Sequence, residues 1–234
     1  MSTMSATVDN LFGTTPLEGT QAALIKKTYA LLTVSLVTAV GGGYIGATSL
    51  PLVQFFASPI GWLMAMIMIN AVPRIALWAS TKNPTLAMLA LAADGFLSGI
   101  ALAPLLWLAT YMAPDGHLIP AALGVTGAVF VSVTGYMLTT KQVFSAPRGL
   151  MTGMFFALIA AMGLNMFLGL SALATVISIG VGIFGVLMLV YATSTVLKDP
   201  EYDNPIQGAL MLFAALFNIF VSALRLMMRF YSRD

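Results

Sequence analysis

The sequence predicts an all-α integral membrane protein with seven transmembrane helices. Of its 234 residues, 59% are apolar and only 8% are charged, with 10 basic and 8 acidic side chains. A soluble domain carries about 25% charged residues because its surface must be hydrated. A chain with so few charges is therefore expected to fold in a lipid bilayer, which accommodates apolar surface.

Seven apolar stretches are long enough to cross that bilayer. A spanning helix needs about 20 predominantly apolar residues, and each stretch ends at charged residues, proline or glycine. The predicted spans are residues 28–48, 60–79, 85–112, 118–138, 150–170, 172–191 and 206–228. Because the connections between them are short, residues 28–234 are predicted to form one seven-helix membrane domain.

Residues 1–27 are predicted to form a flexible cytoplasmic tail. This segment is rich in Ser, Thr, Gly and Asn, and it lacks the basic start and apolar core of a cleavable signal peptide. Such a composition buries too little apolar surface to offset the entropy cost of ordering. Residues 21–27 contain no helix breaker, so this last part is expected to continue into the first span.

Basic residues predict which side of the membrane each loop faces. The segments on one side carry six of them: Lys26, Lys27, Lys82, Lys141, Arg148 and Lys198. The loops on the other side carry none, which places the N-terminus in the cytoplasm. Arg225, Arg229 and Arg233 conflict with this pattern unless the seventh segment is re-entrant. A full crossing is favoured because early helices normally dominate orientation.

Two ionisable residues fall at membrane depth, where a charge is costly. Asp94 lies near the middle of the third predicted span, and Arg74 follows Pro73 in the second. The two spans are consecutive and antiparallel, so the sequence predicts an intramembrane ion pair between Arg74 and Asp94. Such a pair either only pins two helices together or acts as a polar gate or proton-sensitive latch.

Three neutral polar residues, Asn70, Asn165 and Asn218, also fall within the predicted spans. Amides at this depth usually form hydrogen bonds between helices, and a transport role is the less favoured alternative. Small residues spaced by three or four favour close helix packing. They occur at Gly42 and Gly46, at Gly149 and Gly153, and at Ser178, Gly182 and Gly185.

The sequence predicts no enzyme, no cofactor and no metal site. It contains no cysteine and one histidine, His117, which lies in a loop without a partner that would indicate catalysis. The glycine-rich residues 41–46 lack the Lys-Ser/Thr ending of a phosphate-binding loop and lie inside an apolar span. Basic residues are scattered singly, so nucleic acid is not predicted as a partner. No small-molecule substrate is predicted either.

Several segments carry a resemblance to a known family. The most specific is residues 212–224, with Asn218 followed by Ile-Phe and a serine, and the chain then ends in Phe-Tyr-Ser-Arg-Asp. Four earlier segments agree in order: residues 27–32, residues 82–84, residues 95–97 with Pro104, and residues 136–140. Over nearly its whole length the chain resembles the YccA branch of the Bax-inhibitor family of membrane proteins.

The resemblance implies a seven-helix bundle in which the C-terminal helix is central. For this branch it implies a bacterial inner-membrane protein that associates with the membrane AAA protease FtsH and its partners HflK and HflC. On this basis the sequence predicts an FtsH modulator, either an inhibitor or a slowly degraded substrate. The alternative is a pH-sensitive calcium or proton leak, which the resemblance implies for the wider family.

The chain departs from the leak-type pattern at two positions. Leak-type members carry aspartates at the end of the sixth span and in the middle of the seventh, and these form the pH sensor. The corresponding residues here are Ala192 and Ala215, which bind neither a proton nor a cation. The resemblance also implies that Arg74 has lost its sixth-span partner. From the positions of the two residues we infer that Asp94 on the third span replaces that partner.

Overall fold

The computed structural model describes residues 16–145 and 148–232, and within these residues it is a bundle of nine α-helices. They are α1 Pro16–Thr48, α2 Leu50–Ala57, α3 Pro59–Ser80, α4 Pro84–Ala101, α5 Ala103–Met112, α6 Leu118–Thr139, α7 Arg148–Leu168, α8 Ser171–Lys198 and α9 Pro205–Tyr231. Seven of these helices, all except α2 and α5, are long and apolar enough to cross a membrane. The predicted all-α, seven-span class is confirmed.

Prolines and capping residues determine where several helices begin. Asn204 precedes the proline that starts α9, and its Oδ1 accepts hydrogen bonds from the backbone N–H groups of Ile206 and Gln207 at 3.1 and 3.2 Å. Asn83 caps α4 in the same way, accepting from the Thr85 N–H at 2.8 Å. A proline at the first helical position loses nothing because its N–H would have no partner within the helix.

Two boundaries differ from the sequence-based prediction. The first helix begins at Pro16, so it includes residues 21–27, as expected, and also residues 16–20 of the predicted flexible tail, whereas residues 1–15 lie outside the described residues. Leu24 and Ile25 pack against the core, which explains why the helix extends on the N-terminal side of Lys26. The third predicted span is also divided, at Leu102, because Pro104 has no N–H to continue the ladder of α4.

Helix α9 lies at the centre of the bundle. It contacts α1, α3, α4, α5, α6 and α8, and buried residues are spread around its circumference. Leu212 and Ala215 are fully buried, and both belong to one apolar cluster shared with α1, α3, α4 and α8. Helix α7 is peripheral and packs mainly against α8. The predicted central position of the C-terminal helix is confirmed.

Close backbone contacts join α1 to α4 and α8 to α9. A Cβ placed on Gly99 would meet the backbone of Ala39 and Gly43, and one placed on Gly185 would meet Ile219. Gly42, Gly46 and Gly182 make similar contacts, as their spacing predicts. Gly149 and Gly153 on α7 do not, because open space surrounds both. Gly149 and Gly153 therefore mediate no close helix contact within the described residues.

The lysine-bearing end of the bundle is tied together by long-range hydrogen bonds. The Lys198 Nζ at the end of α8 donates to the backbone carbonyls of Thr140 and Gln142, each at 2.7 Å. Nearby, the Ser194 hydroxyl accepts from the Phe144 N–H at 2.8 Å. These bonds hold the segment after α6 against α8, so this connection is part of the folded bundle.

Candidate functional site: a cavity between the helices

A cavity of about 230 Å³, partly open to the surroundings, lies between α3, α4, α7, α8 and α9. Most of its wall is apolar and includes several aromatic rings. Five polar side chains also line it: Asn70, Asp94, Ser98, Asn218 and Arg225. Binding sites in proteins are typically apolar cavities with a few convergent polar groups, so this cavity is the candidate functional site.

Asp94 is the most buried ionisable group in the wall of this cavity. It lies on α4 with Leu91, Gly95 and Ser98, which form the buried face of that helix. Its side chain is 3% exposed, and no ion pair joins it to another residue of the described ranges. A carboxyl group in such surroundings is expected to hold a proton or to have water or a ligand as its partner.

The predicted ion pair between Arg74 and Asp94 is not formed in the structure. Arg74 is exposed, and it does not line the cavity. The inward face of α3 carries the buried Ala65, Ala76 and Ala79. Arg74 precedes Ala76 by two residues, or about 200° around the helix, which directs it away from the bundle. The depths of Arg74 and Asp94 along their helices are compatible with an ion pair, but the direction of the Arg74 side chain is not.

The predicted asparagines line cavities without forming bonds between helices. The Asn70 Nδ2 donates to the Met66 carbonyl and the Asn218 Nδ2 donates to the Ala214 carbonyl, both at 2.8 Å and each within its own helix. Both residues share the cavity with Asp94. Asn165 instead accepts a hydrogen bond from the Leu170 N–H at 3.1 Å beyond the end of α7. One hydrogen bond for each amide leaves further polar atoms available to the cavities.

A second cavity, of about 440 Å³, adjoins the first toward the C-terminal end of α9. Arg225 lines both cavities, and Arg229 and Asn165 line only the second. The Arg229 Nη1 also donates a hydrogen bond to the Thr175 hydroxyl on α8. Neither arginine is among the site residues that the sequence predicts. The sequence does mark both as unusual, because the predicted orientation places them on the side of the membrane opposite most other basic residues.

The positions of the leak-type aspartates are apolar. Ala192 and Ala215 are 1% and 0% exposed, and both belong to the apolar cluster around α9. Neither residue lines the Asp94 cavity. Within the described residues no group of three His, Cys, Asp or Glu side chains is suited to a metal ion. The carboxyl group that lines the cavity is therefore on α4, and α8 and α9 contribute none to its wall.

His117 takes part in a local exposed pair. Its Nδ1 lies 2.7 Å from an oxygen of Asp115, and its ring meets Tyr231 edge-on with 5.3 Å between the ring centroids. The hydrogen bond from His117 holds the pKa of Asp115 below its usual value. This pair connects the α5–α6 loop to the end of α9.

Comparison with known proteins assigns the family. Residues 21–232 match the family described as "Inhibitor of apoptosis-promoting Bax1". A protein of Escherichia coli K12, the "Modulator of FtsH protease YccA", is 34% identical over 158 residues, which cover 67% of this chain and 70% of that protein. An uncharacterized protein of Helicobacter pylori strain 26695 is 32% identical over 220 residues, covering 93% and 91% of the two chains.

These matches agree with the fold. The family match covers every described spanning helix from residue 21 onward, including the central α9. The related protein of E. coli strain CFT073 is described as "Inner membrane protein YccA". Together with seven membrane-spanning helices, this supports a multi-pass inner-membrane protein. The chain belongs to the Bax-inhibitor family of membrane proteins, within its YccA-like bacterial branch.

Proposed function

We propose that this protein is an inner-membrane modulator of the AAA protease FtsH, acting with HflK and HflC as an inhibitor or a slowly degraded substrate. The observation that carries the proposal is the 34% identity to a protein described as a modulator of FtsH. Family membership over residues 21–232 supports it. A modulator of this kind needs to bind a partner in the membrane. It does not need the intramembrane acid pair that a leak would use.

The length of α1 supports engagement of the chain by a protease at its N-terminal end. At 33 residues, α1 is about 50 Å long, which exceeds the hydrocarbon thickness of about 30 Å. Its first turns therefore project from the membrane, and Ala22, Ala23 and Lys26 are exposed. With the basic residues at this end, the projecting part is on the cytoplasmic side, where FtsH would meet residues 1–15 before the bundle.

Two measurements test this proposal. The tagged full-length protein, purified in mild detergent, should recover FtsH together with HflK and HflC. Deletion of residues 2–15, which leaves α1 intact, should lengthen the lifetime of the protein in cells that contain FtsH. The matched control is the same pair of proteins in cells without FtsH activity, where the lifetimes should be equal. Failure to recover FtsH, combined with unchanged lifetimes, would contradict the proposal.

The alternative function is a pH-sensitive calcium or proton leak. The buried Asp94 in an internal cavity is the observation that favours it. Ala192 and Ala215 argue against it, because a pathway for a divalent cation requires oxygen ligands that these buried alanines do not supply. Recovery of FtsH together with absence of ion flux would separate the two functions.

A further inference from the structure

The second cavity contains two positive charges and no acidic side chain in its wall. Arg225 and Arg229 lie one helical turn apart on α9 and line it together with Asn165 of α7 and Ser178 of α8. The remaining lining residues are apolar or aromatic. Both arginines are half-buried, and a charge that is partly removed from water without a counter-charge is unfavourable. Among the described residues, no acidic side chain in the wall of this cavity neutralises the two arginines.

Among residues 16–145 and 148–232, the acids nearest to this cavity do not supply the missing negative charge. Asp94 lines only the first cavity and forms no ion pair with Arg225. Helices α4 and α9 begin at the same level, since the Asn204 Nδ2 donates to the Ser80 hydroxyl beside the start of α4. Asp94 lies ten residues into its helix and Arg225 twenty, so their backbone positions differ by about 15 Å along the helices. Both side chains line the first cavity, but they form no ion pair there. Asp115 pairs with His117 on the surface instead.

The depth of the two arginines matches the headgroup layer of a bilayer. Arg225 lies six residues, or about 9 Å, from the end of α9. Trp62 lines the cavity near the start of α3, and Trp107 stacks on Tyr111 at the end of α5, at the same end of the bundle. Trp and Tyr concentrate at membrane interfaces, so these rings mark that level.

We propose that Arg225 and Arg229, with Asn165, form a binding site for a phosphate group in the second cavity, of the kind carried by an anionic phospholipid. Guanidinium groups bind phosphate through paired, charge-assisted hydrogen bonds. Arg229 is positioned for this role by its hydrogen bond to Thr175. The apolar wall, including Leu105, suits the glycerol and acyl part of a lipid.

The site is tested with the full-length protein in nanodiscs made of phosphatidylcholine alone or with added phosphatidylglycerol. Thermal unfolding and native mass spectrometry of bound lipid are the readouts. Phosphatidylglycerol should bind the wild type and raise its unfolding temperature. Arg225→Gln and Arg229→Gln should each weaken this binding about tenfold, because each removes a charge-assisted hydrogen bond. Arg225→Lys keeps the charge and serves as the variant that preserves folding.

Arg74→Gln is the matched control, since Arg74 is exposed and lines neither cavity. It should bind phosphatidylglycerol like the wild type. A parallel titration of delipidated protein with inorganic phosphate distinguishes the source of the group: stabilisation by phosphate alone would assign a soluble anion to the same site. Equal binding by the wild type, Arg225→Gln and Arg229→Gln, or no stabilisation by either anion, would overturn the proposal.

Discussion

The hydroxyl groups of Tyr202 and Thr28 lie 2.5 Å apart and join the α8–α9 loop to α1. Thr28 is fully buried and also donates to the Leu24 carbonyl at 2.8 Å. The ring of Tyr202 packs beside Gly208, where a Cβ would collide with it. Two segments separated by 174 residues are thus joined at the lysine-bearing end of the bundle.

Tyr202→Phe should lower the free energy of unfolding by about 1 kcal/mol, the usual net value of a hydrogen bond. Thr28 keeps its bond to Leu24, which limits the loss. Thermal unfolding in detergent measures the effect. Tyr111→Phe is the control, because Tyr111 is 72% exposed and should tolerate loss of its hydroxyl. Equal stability of the two variants would show that the Tyr202 bond contributes nothing.

The contribution of Tyr202 should depend on pH. Burial raises the pKa of Tyr202 above its ordinary value of 10.0. The unfolded chain then loses this proton at lower pH than the folded protein, so stability is fully present below pH 10.0 and falls as the pH rises through the folded pKa. Between about pH 8 and about pH 11 the wild type should lose more stability than Tyr202→Phe. Parallel pH profiles would contradict this assignment.

Gly99→Ala should destabilise the protein by about 1–3 kcal/mol, because the new methyl group would press against the backbone of Ala39 and Gly43. Gly124→Ala on α6 is the matched control. Open space surrounds Gly124, so alanine there should be neutral or stabilising by up to about 1 kcal/mol. Thermal unfolding of both variants in the same detergent compares them. A neutral Gly99→Ala would mean that α1 and α4 are less closely packed than described.

Arg74→Met and Asp94→Leu should have additive effects on stability. Arg74 is exposed and forms no ion pair with Asp94 among the described residues, so its replacement should change the free energy of unfolding by about 0.5 kcal/mol or less. The double variant should equal the sum of the single variants within about 0.5 kcal/mol. An interaction free energy clearly above this value, measured by the double-mutant cycle, would show that Arg74 and Asp94 form an ion pair after all.

Reconstituted protein should show no calcium flux that rises at acidic pH, because Ala192 and Ala215 leave an apolar cluster where leak-type relatives carry aspartates. Liposomes containing a calcium-sensitive dye measure the flux. Ala192→Asp combined with Ala215→Asp tests the converse, with thermal unfolding as the folding control because new buried acids are costly. A pH-dependent flux through the wild-type protein would favour the leak function.

Hydropathy was sufficient to predict the spans because lipid imposes one rule on every spanning helix: about 20 apolar residues. The boundaries at Pro59 and Pro205 lie within one residue of the predicted ones. The break at Leu102 was not predicted, since hydropathy is continuous across it and only the backbone chemistry of Pro104 divides it. Residues 21–27 were expected to continue the first span, but the helical residues 16–20 were not predicted, because their polar composition gives no hydropathy signal.

The sequence by itself determined that the chain has seven membrane-spanning helices, and it located the polar residues Asn70, Asp94 and Asn218 within them. Only the tertiary structure decided which of these groups meet. Arg74 and Asp94 have compatible depths, yet the rotation of α3 directs Arg74 outward. Arg225, which the predicted orientation places on the side of the membrane opposite most basic residues, lines the walls of two cavities. Sequence encodes depth along a helix, whereas the facing of a side chain depends on how neighbouring helices pack.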